Sequence, residues 1–229
     1  MIIDLYMTME DKQGMNISYS FKNYSDKTLV AEASDNYNEY ITLKYLEKYY
    51  EFRNLPKLIE KSDINIKYPL SSKVKKTIGF YILENGECIA KFYGEAATCR
   101  KKGIFKRNIG FTVFEYNNIP YVLYRVGFKN ENSHYYCLYD NNNSTVAIIE
   151  RHSFQEDNRK ATLYIEKEEN ITIALLVCTE EMISIANSSN RDGLMDPSAG
   201  HYISLLEEEQ DMFDQSFIDR VKAEELSNR

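Results

Sequence analysis

The chain offers few starting points for chemistry. His134, His152 and His201 are its only histidines, and therefore its only side chains with an ordinary pKa near neutrality. Hydrolysis by a nucleophile needs Ser or Cys beside such a base, and the base needs a third group to orient it. Neither a G-x-S-x-G elbow nor an H-E-x-x-H helix surrounds any of the three. His134 opens one β-prone run and His152 closes another, positions from which either could simply face solvent. Cys137 follows His134 by three positions, which puts it on the opposite face of a regular strand and denies the pair a dyad. Carboxylates are abundant, but no pattern isolates two of them in contrasting environments. Asp140-Asn-Asn-Asn143 is rich in oxygen yet lacks the spaced ligands, the glycine and the bidentate glutamate of a calcium loop, so it reads as a turn. No glycine-rich phosphate loop is present. The expectation is no catalytic residue, no metal and no cofactor, with an enzyme the weaker reading.

One local charge feature rises above this background. Residues 100–107 hold five cations in eight positions, Arg100, Lys101, Lys102, Lys106 and Arg107, with Phe105 among them. The chain around them is acidic: 28 Lys and Arg against 35 Asp and Glu, a net charge of −7. Lys73, Lys75 and Lys76 precede the next β-prone run. If the two loops share one end of the fold, they form a basic patch with Phe105 exposed for insertion. Each cation near an anionic surface is worth about 1 kcal/mol. The blander reading is a solvated loop that keeps the protein soluble. The overall acidity argues against a nucleic-acid partner.

The elements that must position these residues are mostly strands. At 229 residues, 43% hydrophobic and 28% charged, the chain suits one substantial globular core with an appendage. With 19 Tyr and no Trp, tyrosine is expected at half-buried strand positions. Ile2–Thr8, Met15–Phe21 and Thr28–Ala33 are β-prone. Residues 41–53 read as a helix, because Leu43, Leu46, Tyr49 and Tyr50 recur at spacings of three and four, and Pro56 ends it. Thr77–Glu84 and Glu87–Tyr93 flank Asn85-Gly86, the preferred dipeptide of a two-residue hairpin turn. Phe111–Tyr116 and Pro120–Phe128 repeat this around Asn117-Asn118. Tyr135–Tyr139 and Thr145–His152 repeat it around residues 140–143, and Lys160–Lys167 closes the series. Consecutive hairpins describe an antiparallel meander and exclude a doubly wound nucleotide fold.

Residues 171–187 are apolar nearly all round and predict a buried helix, which needs a closed or nearly closed barrel as its container. A linker with Gly193, Pro197 and Gly200 follows. The tail from Ile203 to Leu226 then carries Leu206, Phe213, Phe217 and Val221 as one stripe, opposed by acids. It predicts an acidic amphipathic helix that either docks on its own domain or presents a surface to a second chain, self or foreign. The expected organisation is residues 1–63 as N-terminal strands and an amphipathic helix of the same domain, 64–187 as the β core with its helix, and 188–229 as linker and tail. The first ten residues lack a positive region and are interrupted by Asp4. No stretch reaches the roughly 20 apolar residues of a membrane span, and the four cysteines show no paired spacing. A cytoplasmic protein with reduced thiols is expected.

The run from Gly79 to Lys91, the strand Tyr136–Asp140 leading into Thr145–Arg151, and the apolar stretch Ile171–Ala186 together resemble the tubby C-terminal-like superfamily. Tubby proteins, phospholipid scramblases, LURP-one-related proteins and small bacterial relatives belong to it. The resemblance covers residues 60–187 and implies a twelve-stranded barrel threaded by the hydrophobic helix. Tubby proteins bind phosphoinositide headgroups through basic residues, and the resemblance extends that to this chain by analogy of fold. The combined expectation is a mainly β fold with helices: an antiparallel barrel-like meander around a buried hydrophobic helix, plus a C-terminal amphipathic helix. The expected function is non-enzymatic binding of anionic lipid headgroups, peripheral to a membrane, through Lys73, Lys75, Lys76 and the residues from Arg100 to Arg107. The alternative is a protein-interaction module, scaffold or inhibitor-like, that uses the tail stripe.

Overall fold

Twelve antiparallel strands close into a barrel in which each strand pairs with its neighbours in the chain and the first pairs with the last. The computed structural model describes residues 1–9, 16–36, 40–54, 77–99, 107–129, 131, 133–152, 159–188, 204 and 207–227. The strands are β1 (Ile2–Met9), β2 (Asn16–Asn23), β3 (Leu29–Asn36), β4 (Tyr40–Tyr45), β5 (Lys48–Asn54) and β6 (Thr77–Glu84). They continue as β7 (Glu87–Cys99), β8 (Arg107–Tyr116), β9 (Ile119–Gly127), β10 (Ser133–Tyr139), β11 (Thr145–His152) and β12 (Arg159–Ile165). Three helices follow: α1 (Ile171–Ser188), α2 (Glu207–Gln210) and α3 (Gln215–Ser227).

Turn chemistry sets one end of the barrel. Asn85 and Gly86 sit at φ 52° and 83°, and Asn117 and Asn118 at 50° and 64°, the left-handed pairs that a two-residue hairpin requires. The Asp140 carboxylate accepts from the backbone amides of Asn142 and Ser144, both at 2.8 Å, and closes the β10–β11 turn. Closure of the ring is local in space but remote in sequence: Asp4 of β1 stands opposite Thr162 of β12.

The strands alternate, and their inward side chains share one core with α1. Ile3, Leu5, Phe21, Leu43, Phe92, Leu123, Leu138 and Leu163 meet Ile173, Leu175, Leu176 and Val177 there. Small inward residues, Ala31, Ala33, Ala90, Ala147 and Ala161, leave room for a helix inside the ring. The helix contacts β4 on one side and β11 and β12 on the other, so it runs through the interior. That explains why the first half of the helix is apolar on every face: Ala174, Leu175, Leu176, Val177 and Cys178 have no accessible surface. Among the described residues no helix is long and apolar enough to cross a membrane.

The expected helix over 41–53 is instead the β4–β5 hairpin. Tyr45 pairs with Lys48 across a two-residue turn, with Leu46 at φ 54°. Ile41, Leu43, Tyr50 and Phe52 point into the barrel, while Leu46 and Tyr49 are 68% and 55% exposed. A turn between two period-2 segments reproduces spacings of three and four, and the β-prone Tyr, Ile, Thr and Phe decide for strand. Pro56 lies outside the described residues.

The tail docks on its own barrel. Phe217, Ile218 and Val221 of α3 are buried in a second core with Val122, Tyr124, Val126, Cys137 and Ile148, the outward side chains of β9, β10 and β11. Asp214 caps α3, accepting from the Phe217 amide at 3.0 Å, and Thr145 of β11 donates to the same carboxylate at 3.3 Å. Hydrogen bonds hold that carboxyl below its ordinary value although burial pushes it up. The tail is two helical pieces, broken at Asp211–Asp214, where the sequence predicted one helix.

Candidate functional site

Most of the expected basic patch lies outside the described residues: Lys73, Lys75, Lys76, Arg100, Lys101, Lys102, Phe105 and Lys106. Arg107 opens β8 opposite Cys99, the last residue of β7. Thr77, the first residue of β6, stands opposite Gly94 of the same β7 strand. The described strand ends that flank segments 55–76 and 100–106 therefore lie at one end of the barrel, away from the tight turns. Of the tail stripe, Leu206 lies outside the described residues and Phe217 and Val221 are buried against the barrel. Phe213 is half-buried, packed 4.3 Å from the Tyr135 ring and 5.4 Å from the Phe128 ring, between centroids. Those contacts are made within the chain.

Among the described residues, one polar site lies on the outer wall, where β10, β11, β12 and β1 meet the end of α3. A groove of about 460 Å³ opens there. Asp4 projects outward from β1 yet has no accessible surface, an expensive position for a carboxylate. Three groups compensate it. Thr162 Oγ1 donates to Asp4 Oδ1 at 2.9 Å, Lys27 Nζ lies 3.1 Å from Oδ2, and an Arg159 guanidinium nitrogen lies 3.6 Å from Oδ1. Burial draws the Lys27 ammonium down, but the Asp4 carboxylate and the Tyr6 hydroxyl hold it above its ordinary value.

The same chain orients a histidine. Because the Thr162 hydroxyl donates to Asp4, its oxygen accepts from His152 Nε2 at 3.0 Å. The opposite nitrogen, Nδ1, faces Ser133 Oγ at 3.5 Å and Glu150 Oε1 at 3.8 Å. Glu150 also accepts from the Tyr164 hydroxyl at 2.8 Å. His152 is thus no solvent-facing strand end: its side chain is 8% exposed. Asp4 reaches the ring only through Thr162, so the chain orients the imidazole and does not build a hydrolytic triad, in which a carboxylate bonds the ring directly. What remains is a hydrogen-bonded polar wall.

His134 is also buried, at 1%, with Nε2 3.3 Å from the Tyr136 hydroxyl inside the barrel, so the expectation of solvent is wrong here too. Cys137 lies on the outer face, as strand alternation requires. His201 lies outside the described residues. Near His134, α1 carries two enclosed acids, Glu180 and Glu181, each 6% exposed. Arg125 Nη2 bonds Glu181 at 3.2 Å, and its guanidinium lies 5.1 Å from the Tyr136 ring centre. Burial and the neighbouring Glu181 charge push Glu180 well above its ordinary value. Burial also raises Glu181, against the pull of Arg125 and Tyr136.

Sequence reasoning missed the groove because its parts are remote in the chain. Asp4 breaking an apolar run was the available signal, and it was read only as evidence against a leader. No protein-family model, curated protein or solved structure matches the chain.

Proposed function

We propose that this protein is a non-enzymatic binding domain that recognises anionic lipid headgroups on a membrane surface through the basic end of its barrel. The observation that supports the reading is strand pairing: Thr77 opposite Gly94 and Cys99 opposite Arg107 set the strand ends that lead into both cation-rich segments at one end of the barrel. Segment 100–107 has five cations and no acid. The turns at the other end hold Asp26, Glu47, Asp140, Glu166, Glu168 and Glu169 against Lys27 and Lys167, a net negative charge opposite the cation-rich segments. A polarised field orients a molecule before contact, which suits docking of one end on a negative surface. The reading through a protein partner of the tail loses support, since Phe217 and Val221 are packed on the barrel.

Co-flotation with vesicles tests the proposal. Binding is expected to phosphatidylserine-containing vesicles and not to neutral ones. It should fade as salt is raised and disappear when Lys101, Lys102, Lys106 and Arg107 are all changed to Ser. Protein that stays unbound with every vesicle, or a variant that binds as the parent does, rejects it.

A further inference from the structure

We propose that the turn end of one barrel docks on residues 100–107 of a second copy, so that the protein associates head to tail. The inference goes beyond the lipid reading and does not rest on it. Both use the same basic segment, so a membrane and a second copy would compete for it.

The turn end is where this chain shows its apolar side chains. Of the six large hydrophobic residues exposed among the described ones, Tyr24, Leu29, Leu46, Tyr49 and Ile119 lie in or beside the β2–β3, β4–β5 and β8–β9 turns. Leu29 and Leu46 sit on neighbouring hairpins, just beyond the Ala31–Tyr45 pair of β3 and β4. Leu46 is 68% exposed at a φ of 54°, whereas the other positive-φ positions among the described residues hold Asn, Gly or Lys. A branched apolar side chain there gains nothing from the fold and strains the backbone, which points to a contact outside the chain.

Carboxylates surround these side chains. Glu47, Glu168 and Glu169 are exposed and make no ion pair or side-chain hydrogen bond among the described residues. Two of the cations nearby, Lys27 and Lys48, are held by Asp4 and Glu84 at 3.1 and 2.8 Å. The acids lie across the barrel mouth. Burial and then the Glu168 charge raise the Tyr45 hydroxyl of β4, while burial and then charges that include Asp140 and Glu169 raise that of Tyr121 on β9. Residues 100–107 are the complement, with five cations, no acid, and Ile104 and Phe105 between them. They cannot meet the turn end of their own barrel. Cys99 pairs with Arg107 at the opposite end, and the residues between those anchors reach about 12 Å, while eight tilted strand residues span about 20 Å. Only a second copy brings the two surfaces together. Such a contact is heterologous and leaves one free surface on each copy, so it propagates. The net charge of −7 opposes the approach, but at physiological salt the screening length is about 8 Å, so the facing ends govern.

Analytical ultracentrifugation of the full chain, without vesicles, tests this. The mass should rise with protein concentration and pass the dimer, since a head-to-tail contact does not stop at two. Raising salt from about 0.15 M to about 0.6 M should weaken the contact about tenfold or more. Leu46→Asn with Glu168→Gln spoils the turn end, and Lys101→Ser with Lys102→Ser spoils the basic segment. Asn suits the positive φ at position 46, so the first variant should fold as the parent does. Each variant alone should remain a monomer. An equal mixture should form a dimer and go no further, because one copy supplies the basic segment and the other the turn end. The proposal is overturned if the parent is monomeric across the concentration series, if either variant associates as the parent does, or if the mixture stays monomeric. With no vesicle present, the lipid reading can fail without touching this result, and this proposal can fail without touching that one.

Discussion

Glu180→Gln should stabilise this protein at neutral pH and do almost nothing in mild acid. Glu180 and Glu181 are adjacent on α1 and almost fully enclosed, and the nearby Arg125 bonds Glu181. One guanidinium can neutralise one carboxylate, so Glu180 keeps its proton far above its ordinary value of 4.5, chiefly because of burial and then because of its neighbour. The sign follows from proton counting. Above the ordinary value the unfolded chain releases this proton while the folded chain retains it, so stability is fullest in acid and declines as pH rises through the folded-state pKa. The steepest decline from one group is about 1.4 kcal/mol per pH unit. Glutamine mimics the protonated acid and removes the slope. The gain at neutral pH should reach at most about 3 kcal/mol, the roughly 2.5 pH units between the ordinary value and pH 7 at about 1.4 kcal/mol each. Glu181→Gln should gain less, because it leaves Arg125 with a neutral acceptor in place of a charged one. Urea unfolding followed by far-UV circular dichroism, at about pH 5 and about pH 8, reads the effect directly. Parallel pH profiles for wild type and Glu180→Gln, or a loss of stability at the higher pH, would refute the reasoning.

Other consequences are equally concrete. Phe217→Ala removes the fully buried anchor of α3 and should cost about 3–5 kcal/mol of tail docking, seen as lost amide-exchange protection in α3 and new dye binding to the bared wall around Val122 and Ile148. Asp4→Asn leaves Arg159 without its carboxylate and should cost about 2–4 kcal/mol in urea unfolding. That is less than a fully buried pair, because Lys27 is 53% exposed. In a Cys99→Ser background, Cys88 should react with a thiol reagent at once, while Cys137 and Cys178 wait for unfolding, since both are sealed and burial pushes their thiols up.

The legible parts of this fold carry short-range physics. Asn85-Gly86 and Asn117-Asn118 announce hairpins because few residues tolerate positive φ. Residues 171–187 announce a buried helix because a helix apolar on nearly all sides has no face suited to water. The β4–β5 hairpin was hidden because a two-residue turn shifts the alternation, so Leu43 and Tyr50 share the inner face at a helix-like separation of seven. The break in the tail was hidden because Phe213, which lies in the break itself, continues the four-residue spacing of Phe217 and Val221, and only the Asp214 cap marks the new start. The groove was out of reach for a different reason. Asp4 and Thr162 are 158 residues apart and meet only through closure of the barrel, while His152 reaches them from β11 and Lys27 from a turn. The tail's position depended on its partner surface: the outward side chains of β9 to β11 are apolar too, a fact that alternation alone obscures when both faces are buried.

The most direct test of the account is to ask which end of the barrel meets a membrane. In a background with all four cysteines replaced by Ser, Phe105→Cys and Asn117→Cys each carry an environment-sensitive fluorophore, one at the basic end and one at the acidic turn end. On addition of phosphatidylserine vesicles, the account predicts a blue shift at position 105 and none at position 117, reversed by salt. A shift at 117 alone, or at neither position, would contradict the assignment of the basic end as the binding surface.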